Sequence, residues 1–111
     1  MNEQELINRI LILEYHQKLF IKLLNNPKLD FYKVIIEFGI SEQETQKFFS
    51  LCDELTIKME EQKAEGFVYF HPLFEEFSIS LPQRLDPKEM IQACVTQQLY
   101  EPLMKEFIKY L

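Results

Sequence analysis

Glycine is scarce in this chain, and its scarcity excludes several kinds of protein. Only Gly39 and Gly66 are present among 111 residues. An all-β domain needs glycine at many tight turns, and a phosphate-binding loop needs several glycines close together. Two isolated glycines fit neither, whereas the long segments rich in Glu, Lys, Gln and Leu are typical of helices. The sequence therefore predicts an all-α fold.

Residues that act as nucleophiles or bind metals are also few. The chain has two cysteines, Cys52 and Cys94, and two histidines, His16 and His71. Both thiols fall among apolar residues at helical spacing, which predicts that they are buried and behave as small hydrophobes. His16 lies within an apolar segment, where a histidine satisfied by one hydrogen bond is expected rather than a base. The scarcity of thiols favours a cytoplasmic protein.

One histidine among carboxylates, on either side of Gly66, is the nearest approach to a metal site. Its members are His71, Glu60, Glu61, Glu65, Glu75 and Glu76. Neither a His-Glu-x-x-His nor a Cys-x-x-Cys motif accompanies them. The expectation is a solvated acidic surface, with weak binding of a divalent ion or small ligand as the alternative. We predict no catalytic residue, no metal and no cofactor, and hence no enzyme.

Positive charge is in deficit along the whole chain. Twelve basic residues face eighteen acidic ones, for a net charge of −6. A general attraction to phosphate backbones or anionic lipid is therefore absent. The acidic N-terminus does not resemble a secretory signal, and charges interrupt the apolar first helix at roughly every turn, which disfavours a membrane span. We predict neither a nucleic-acid nor a membrane partner.

Turn signals divide the chain into about six helices in a single domain, residues 1–111, arranged as an irregular bundle. The predicted helices run from Gln4 to Leu24, from Asp30 to Phe38, from Glu42 to Lys63, from Pro72 to about residue 77, from the cap at Asp86 onward, and from Glu101 to Leu111. A loop is predicted from Ser78 to Leu85. An extended connection is predicted from Phe67 to Phe70, with its own aromatic residues packed against the core, and a short strand is the alternative there.

Local capping signals are clearest in the middle of the chain. Asp30 is expected to cap the second helix, and Gly39 is placed to end it in a left-handed conformation. Ser41 and Glu44 have the spacing of a capping box, in which each side chain accepts a hydrogen bond from the other residue's backbone N–H.

The first helix carries apolar residues on every side, so we expect it to be buried on several sides. Six positions repeat with the 4-3 spacing of a coiled coil, and we call them the N-terminal seam: Leu6, Ile10, Leu13, Gln17, Phe20 and Leu24. A polar residue such as Gln17 inside a seam can fix register and oligomer state. This pattern favours a homodimer or small homo-oligomer, with another protein as a further possible partner and a monomeric bundle around a central first helix as the alternative.

Residues 34–51 have the outline of a helix-turn-helix, which gives a DNA-binding regulator as a second alternative. The first turns of its second helix offer Glu42, Gln43, Glu44 and Gln46, with Lys47 as the only cation. Phosphate contacts call for Lys and Arg. The chemistry therefore favours a plain helical corner.

Several segments resemble the YhaI-like family, small helical proteins of Gram-positive bacteria without an assigned function. The matching segments are Phe31-Tyr32-Lys33, Ile35-Ile36-Glu37, Leu51-Cys52, Glu54-Leu55, Glu61-Gln62-Lys63, Glu65-Gly66-Phe67-Val68, Leu99-Tyr100, Pro102-Leu103-Met104 and Glu106-Phe107. The resemblance spans nearly the full length and implies an all-helical protein that self-associates. It carries over no functional residues. The predicted function is a non-enzymatic, self-associating interaction module.

Overall fold

A computed structural model describes all 111 residues. It contains six α-helices and no strand. The helices are α1 (Glu3–Asn25), α2 (Asp30–Glu37), α3 (Glu42–Ala64), α4 (His71–Ser80), α5 (Pro87–Gln97) and α6 (Glu101–Ile108). This arrangement confirms the predicted all-α fold and the number of helices.

The turn between α2 and α3 has the predicted glycine and capping box. Gly39 has a φ of +64°, and the Ile40 N–H reaches back to the Ile35 carbonyl at 2.9 Å, a Schellman ending. Ser41 Oγ then accepts the Glu44 N–H at 3.1 Å, and Glu44 Oε1 accepts the Ser41 N–H at 3.2 Å. These two devices fix the angle at which α3 leaves α2.

The predicted cap at Asp30 is wrong. Asp30 is the first residue inside α2, and its carboxylate lies 3.4 Å from the Lys33 ammonium. The acceptor for the helix N-terminus comes instead from the end of α5. Gln97 Oε1 accepts the N–H groups of Phe31 and Tyr32 at 2.9 and 3.4 Å. A contact between distant parts of the chain thus replaces the local cap.

Two further helix ends differ from the predictions by more than one residue, and so does the packing of one connection. Helix α4 continues through Ser80, so the helix includes the start of the predicted loop from Ser78 to Leu85, and α6 ends at Ile108 rather than Leu111. In the connection after Gly66 only Phe70 is buried, as part of the core cluster, and its N–H donates to the Tyr110 hydroxyl at 2.9 Å. Phe67 and Tyr69 are exposed, so the expectation that the aromatic residues of this connection pack on the core holds for Phe70 alone.

The core lies among α2 to α6, and α1 stands beside it. Of twenty buried apolar residues in one continuous cluster, α1 contributes Leu19 only. The radius of gyration is 15.7 Å, against about 13 Å for a compact chain of roughly this length. Every side chain of residues 1–11 is exposed. The N-terminal half of α1 therefore projects from the bundle.

Candidate functional site on the first helix

All six residues of the N-terminal seam are exposed to solvent. The exposed fractions of its apolar members are 51% for Leu6, 46% for Ile10, 66% for Leu13, 53% for Phe20 and 84% for Leu24. Gln17 is exposed between them. Single exposed apolar residues are ordinary, but a contiguous apolar stripe along a helix marks an interaction surface.

The exposed apolar face is wider than the predicted seam. Ile7, Leu11 and Ile21 continue it around the helix, with exposed fractions of 43%, 57% and 56%. At about 100° per residue these side chains fall on one flank of the seam. The same periodicity that predicted the seam contains this signal, although Glu14 lies between Ile7 and Ile21 on that flank.

Within one chain α1 is buried on one side only, so it is not the central helix of a monomeric bundle, and burial on its other sides would need a second chain. His16 and Leu19 are its buried residues, and Ile12, Tyr15 and Leu23 are half-buried. Three of them, Ile12, Tyr15 and Leu19, lie on the side of the helix away from the N-terminal seam, and His16 and Leu23 lie on one flank of the seam. The bundle therefore covers the back and one flank of α1 and leaves the seam in solvent.

Two hydrogen-bonded contacts fix α1 to the corner between α2 and α3. His16 Nε2 lies 2.8 Å from the Ile40 carbonyl, so this nitrogen carries the proton and donates. The Tyr15 hydroxyl donates to Thr45 Oγ1 at 2.9 Å, and Thr45 Oγ1 donates to the Ser41 carbonyl at 2.9 Å. Burial raises the pKa of Tyr15 above its ordinary value. His16 is thus the satisfied, buried histidine that the sequence predicted.

The helix-turn-helix outline is present as the corner of α2 and α3, and two polar side chains at the start of its second helix, Glu44 and Thr45, have partners within the chain. Arg84 Nη2 donates to both carboxylate oxygens of Glu44 at 2.8 Å. Thr45 is buried. Lys47 is the only cation in the first turns of α3. Direct contact with a phosphate backbone would need more positive charge than this.

The residues weighed as metal ligands do not converge. His71 Nδ1 lies 3.5 Å from Glu75 Oε1, and the ring stacks on Tyr69 with centroids 6.0 Å apart. No group of three or more His, Cys, Asp or Glu side chains has the spacing to hold a metal ion.

The two cysteines are free thiols in the core, as predicted. Cys52 and Cys94 are fully buried and not disulfide-bonded. Burial raises the pKa of both thiols, that of Cys94 to about 12. The thiolate form that a nucleophile or metal ligand requires is therefore disfavoured.

A surface groove lies between the start of α3 and the segment that joins α4 to α5. It encloses about 730 Å³ and is lined by both apolar and polar side chains, among them Phe48, Leu81, Gln43 and Lys47. The N-terminal seam remains the feature of the molecule that most clearly lacks a partner.

One protein-family model covers nearly the whole chain. Residues 3–111 match the model of the family described as "Protein of unknown function (DUF1878)", and the chain belongs to this family. The match includes all of α1 with its seam as well as the bundle. None of the six helices has both the length and the apolar character that crossing a membrane requires.

Proposed function

We propose that this member of a family of unknown function is a non-enzymatic interaction module of the cytoplasm, and that it self-associates through the N-terminal seam. One observation carries the proposal: five large apolar side chains on one face of α1 are between 46% and 84% exposed. Covering a Leu, Ile or Phe side chain that is half exposed stabilises an assembly by about 1 kcal/mol. A helix that exposes this stripe to water is therefore stabilised by any partner that covers it.

A second copy of the chain is the partner that fits the seam best. The 4-3 spacing lets two identical helices interdigitate, because each apolar side chain then enters a gap between four residues of the facing helix. The seam is uncovered along its whole length in the single chain, so a second helix can reach it. The resemblance to the bacterial YhaI-like proteins, which implies self-association, supports the same reading. The cytoplasmic assignment is supported by the two unpaired thiols.

The solution mass tests this proposal. Light scattering coupled to size-exclusion chromatography should give a multiple of 13.4 kDa at micromolar concentrations. Leu13→Glu should give the monomer mass, because it places a charge in the centre of the seam. Its circular dichroism spectrum should stay helical, since Leu13 is 66% exposed in the single chain.

Ile79→Glu is the matched control. Ile79 is 83% exposed on α4, so this variant introduces the same charge at an exposed apolar residue away from α1. It should keep the wild-type mass. A monomeric wild type, or a Leu13→Glu protein that assembles like the wild type, would overturn the proposal.

A further inference from the structure

Two charged residues flank the N-terminal seam, and they indicate how two copies are oriented. When Leu6 and Ile10 are placed at coiled-coil positions d and a, Arg9 falls at position g and Glu14 at position e. Both are exposed. The five ion pairs within the chain involve neither of them. Two opposite charges beside an uncovered apolar stripe thus have no charged partner in their own chain.

We infer that copies of this chain pair their first helices in parallel and in register. This inference rests on the proposed self-association and specifies its geometry. In a parallel pair, position g of one helix faces position e of the next heptad on its partner. Arg9 then faces the partner subunit's Glu14, and symmetry repeats the pair on the other side of the seam.

The polar residue of the seam favours the same orientation. In a parallel pair Gln17 faces Gln17, and two amides can donate to and accept from each other. In the antiparallel pairing that aligns the seam, Gln17 faces Leu13 instead, and the two Glu14 side chains come together. A polar group covered by an apolar one without a hydrogen bond is unfavourable, as is the approach of two carboxylates. The antiparallel arrangement therefore loses contacts that the parallel one gains.

The position of the bundle permits the parallel arrangement. The residues that hold α1 to its own core lie on the back of the helix, as Leu19 does at position c, and on one flank of the seam, as His16 does at position g. A two-fold axis that runs along the seam therefore places the two cores on opposite sides of the helix pair. Residues 1–11 carry no side chain buried against the bundle, so the N-terminal halves of two copies meet freely.

Cysteine cross-linking distinguishes the two orientations. Leu6 and Leu24 lie at opposite ends of the seam, about 27 Å apart along the helix. In the parallel pair Leu6→Cys and Leu24→Cys should each form a disulfide with an identical chain, and a mixture of the two should give no mixed product. The antiparallel pair would give the mixed product alone. The native thiols are fully buried and should not compete, and Ile79→Cys measures random collision.

Charge exchange provides an independent measurement on the full chain. Arg9→Glu and Glu14→Arg should each weaken association about 3-fold to 10-fold, and the double variant should recover most of the loss. Full additivity of the two losses, or the mixed disulfide, would overturn the parallel assignment while leaving self-association in place. A wild type that stays monomeric at every concentration would overturn both.

Discussion

The side chain of Gln97 is predicted to stabilise the fold by capping α2 from a distance. Its Oε1 accepts the Phe31 and Tyr32 N–H groups, and the residue before the helix, Leu29, provides no side-chain cap. Removing a cap costs about 0.5–2 kcal/mol. Because the Phe31 side chain is fully packed in the core and its N–H is partly buried, we expect Gln97→Ala to lower the free energy of unfolding by about 1 kcal/mol.

Urea unfolding followed by circular dichroism at one protein concentration measures this change. In thermal unfolding of the same proteins, a loss of about 1 kcal/mol should lower the melting temperature by roughly 4–8 °C in a domain of this size. Gln92→Ala is the matched control, since it makes the same chemical change at an exposed position of α5. Gln97→Glu keeps an oxygen acceptor and adds a negative charge at a helix N-terminus, so it should preserve stability. Equal losses in Gln97→Ala and Gln92→Ala would refute the capping role.

Three other measurements follow from the structure. Desolvation opposes the charge on Glu44, but hydrogen bonds from Arg84 and Ser41 outweigh it and lower the pKa of Glu44 below its ordinary 4.5. Glu44→Gln should therefore lower the free energy of unfolding by about 0.5 kcal/mol at neutral pH. In urea titrations this difference between wild type and variant should fade as the pH falls through the lowered pKa, and a difference that stays constant would contradict the ion pair. Gln17→Leu should tighten association in sedimentation velocity and broaden the range of oligomers, whereas weaker association would place Gln17 outside the interface. A thiol reagent should label Cys52 and Cys94 in urea and neither in the native protein, and rapid native labelling would contradict their burial.

Devices confined to a few consecutive residues could be predicted from the sequence. The Ser41 and Glu44 capping box and the left-handed Gly39 depend on backbone geometry within one turn, so residue type at fixed spacing determines them. The cap of α2 could not be predicted in this way. Asp30 has the right chemistry, but Gln97 reaches the same N–H groups from 66 residues away. Local pattern carries no information about a contact of that kind.

The position of α1 was harder to predict for a related reason. Apolar residues occur all around this helix, and such a pattern fits a helix enclosed by its own bundle as well as one enclosed partly by another chain. The 4-3 spacing identified the residues of the N-terminal seam, but only the path of α2 to α6 decides which side of α1 they cover. The chain covers the side of His16 and Leu19, and the seam is left outside.

This division of the helix links its folding to association. Short helices gain most of their stability from packing rather than from intrinsic propensity. Residues 1–11 have no side chain buried against the bundle, so in a single chain their helix depends on the contacts further along α1 and on the Asn2 cap, whose side chain accepts the Glu5 N–H at 2.8 Å. Under the proposed assembly a second copy would cover Leu6 and Ile10. The order of this half of α1 and the formation of the interface would then be one equilibrium, in which dilution both separates the chains and frays the helix.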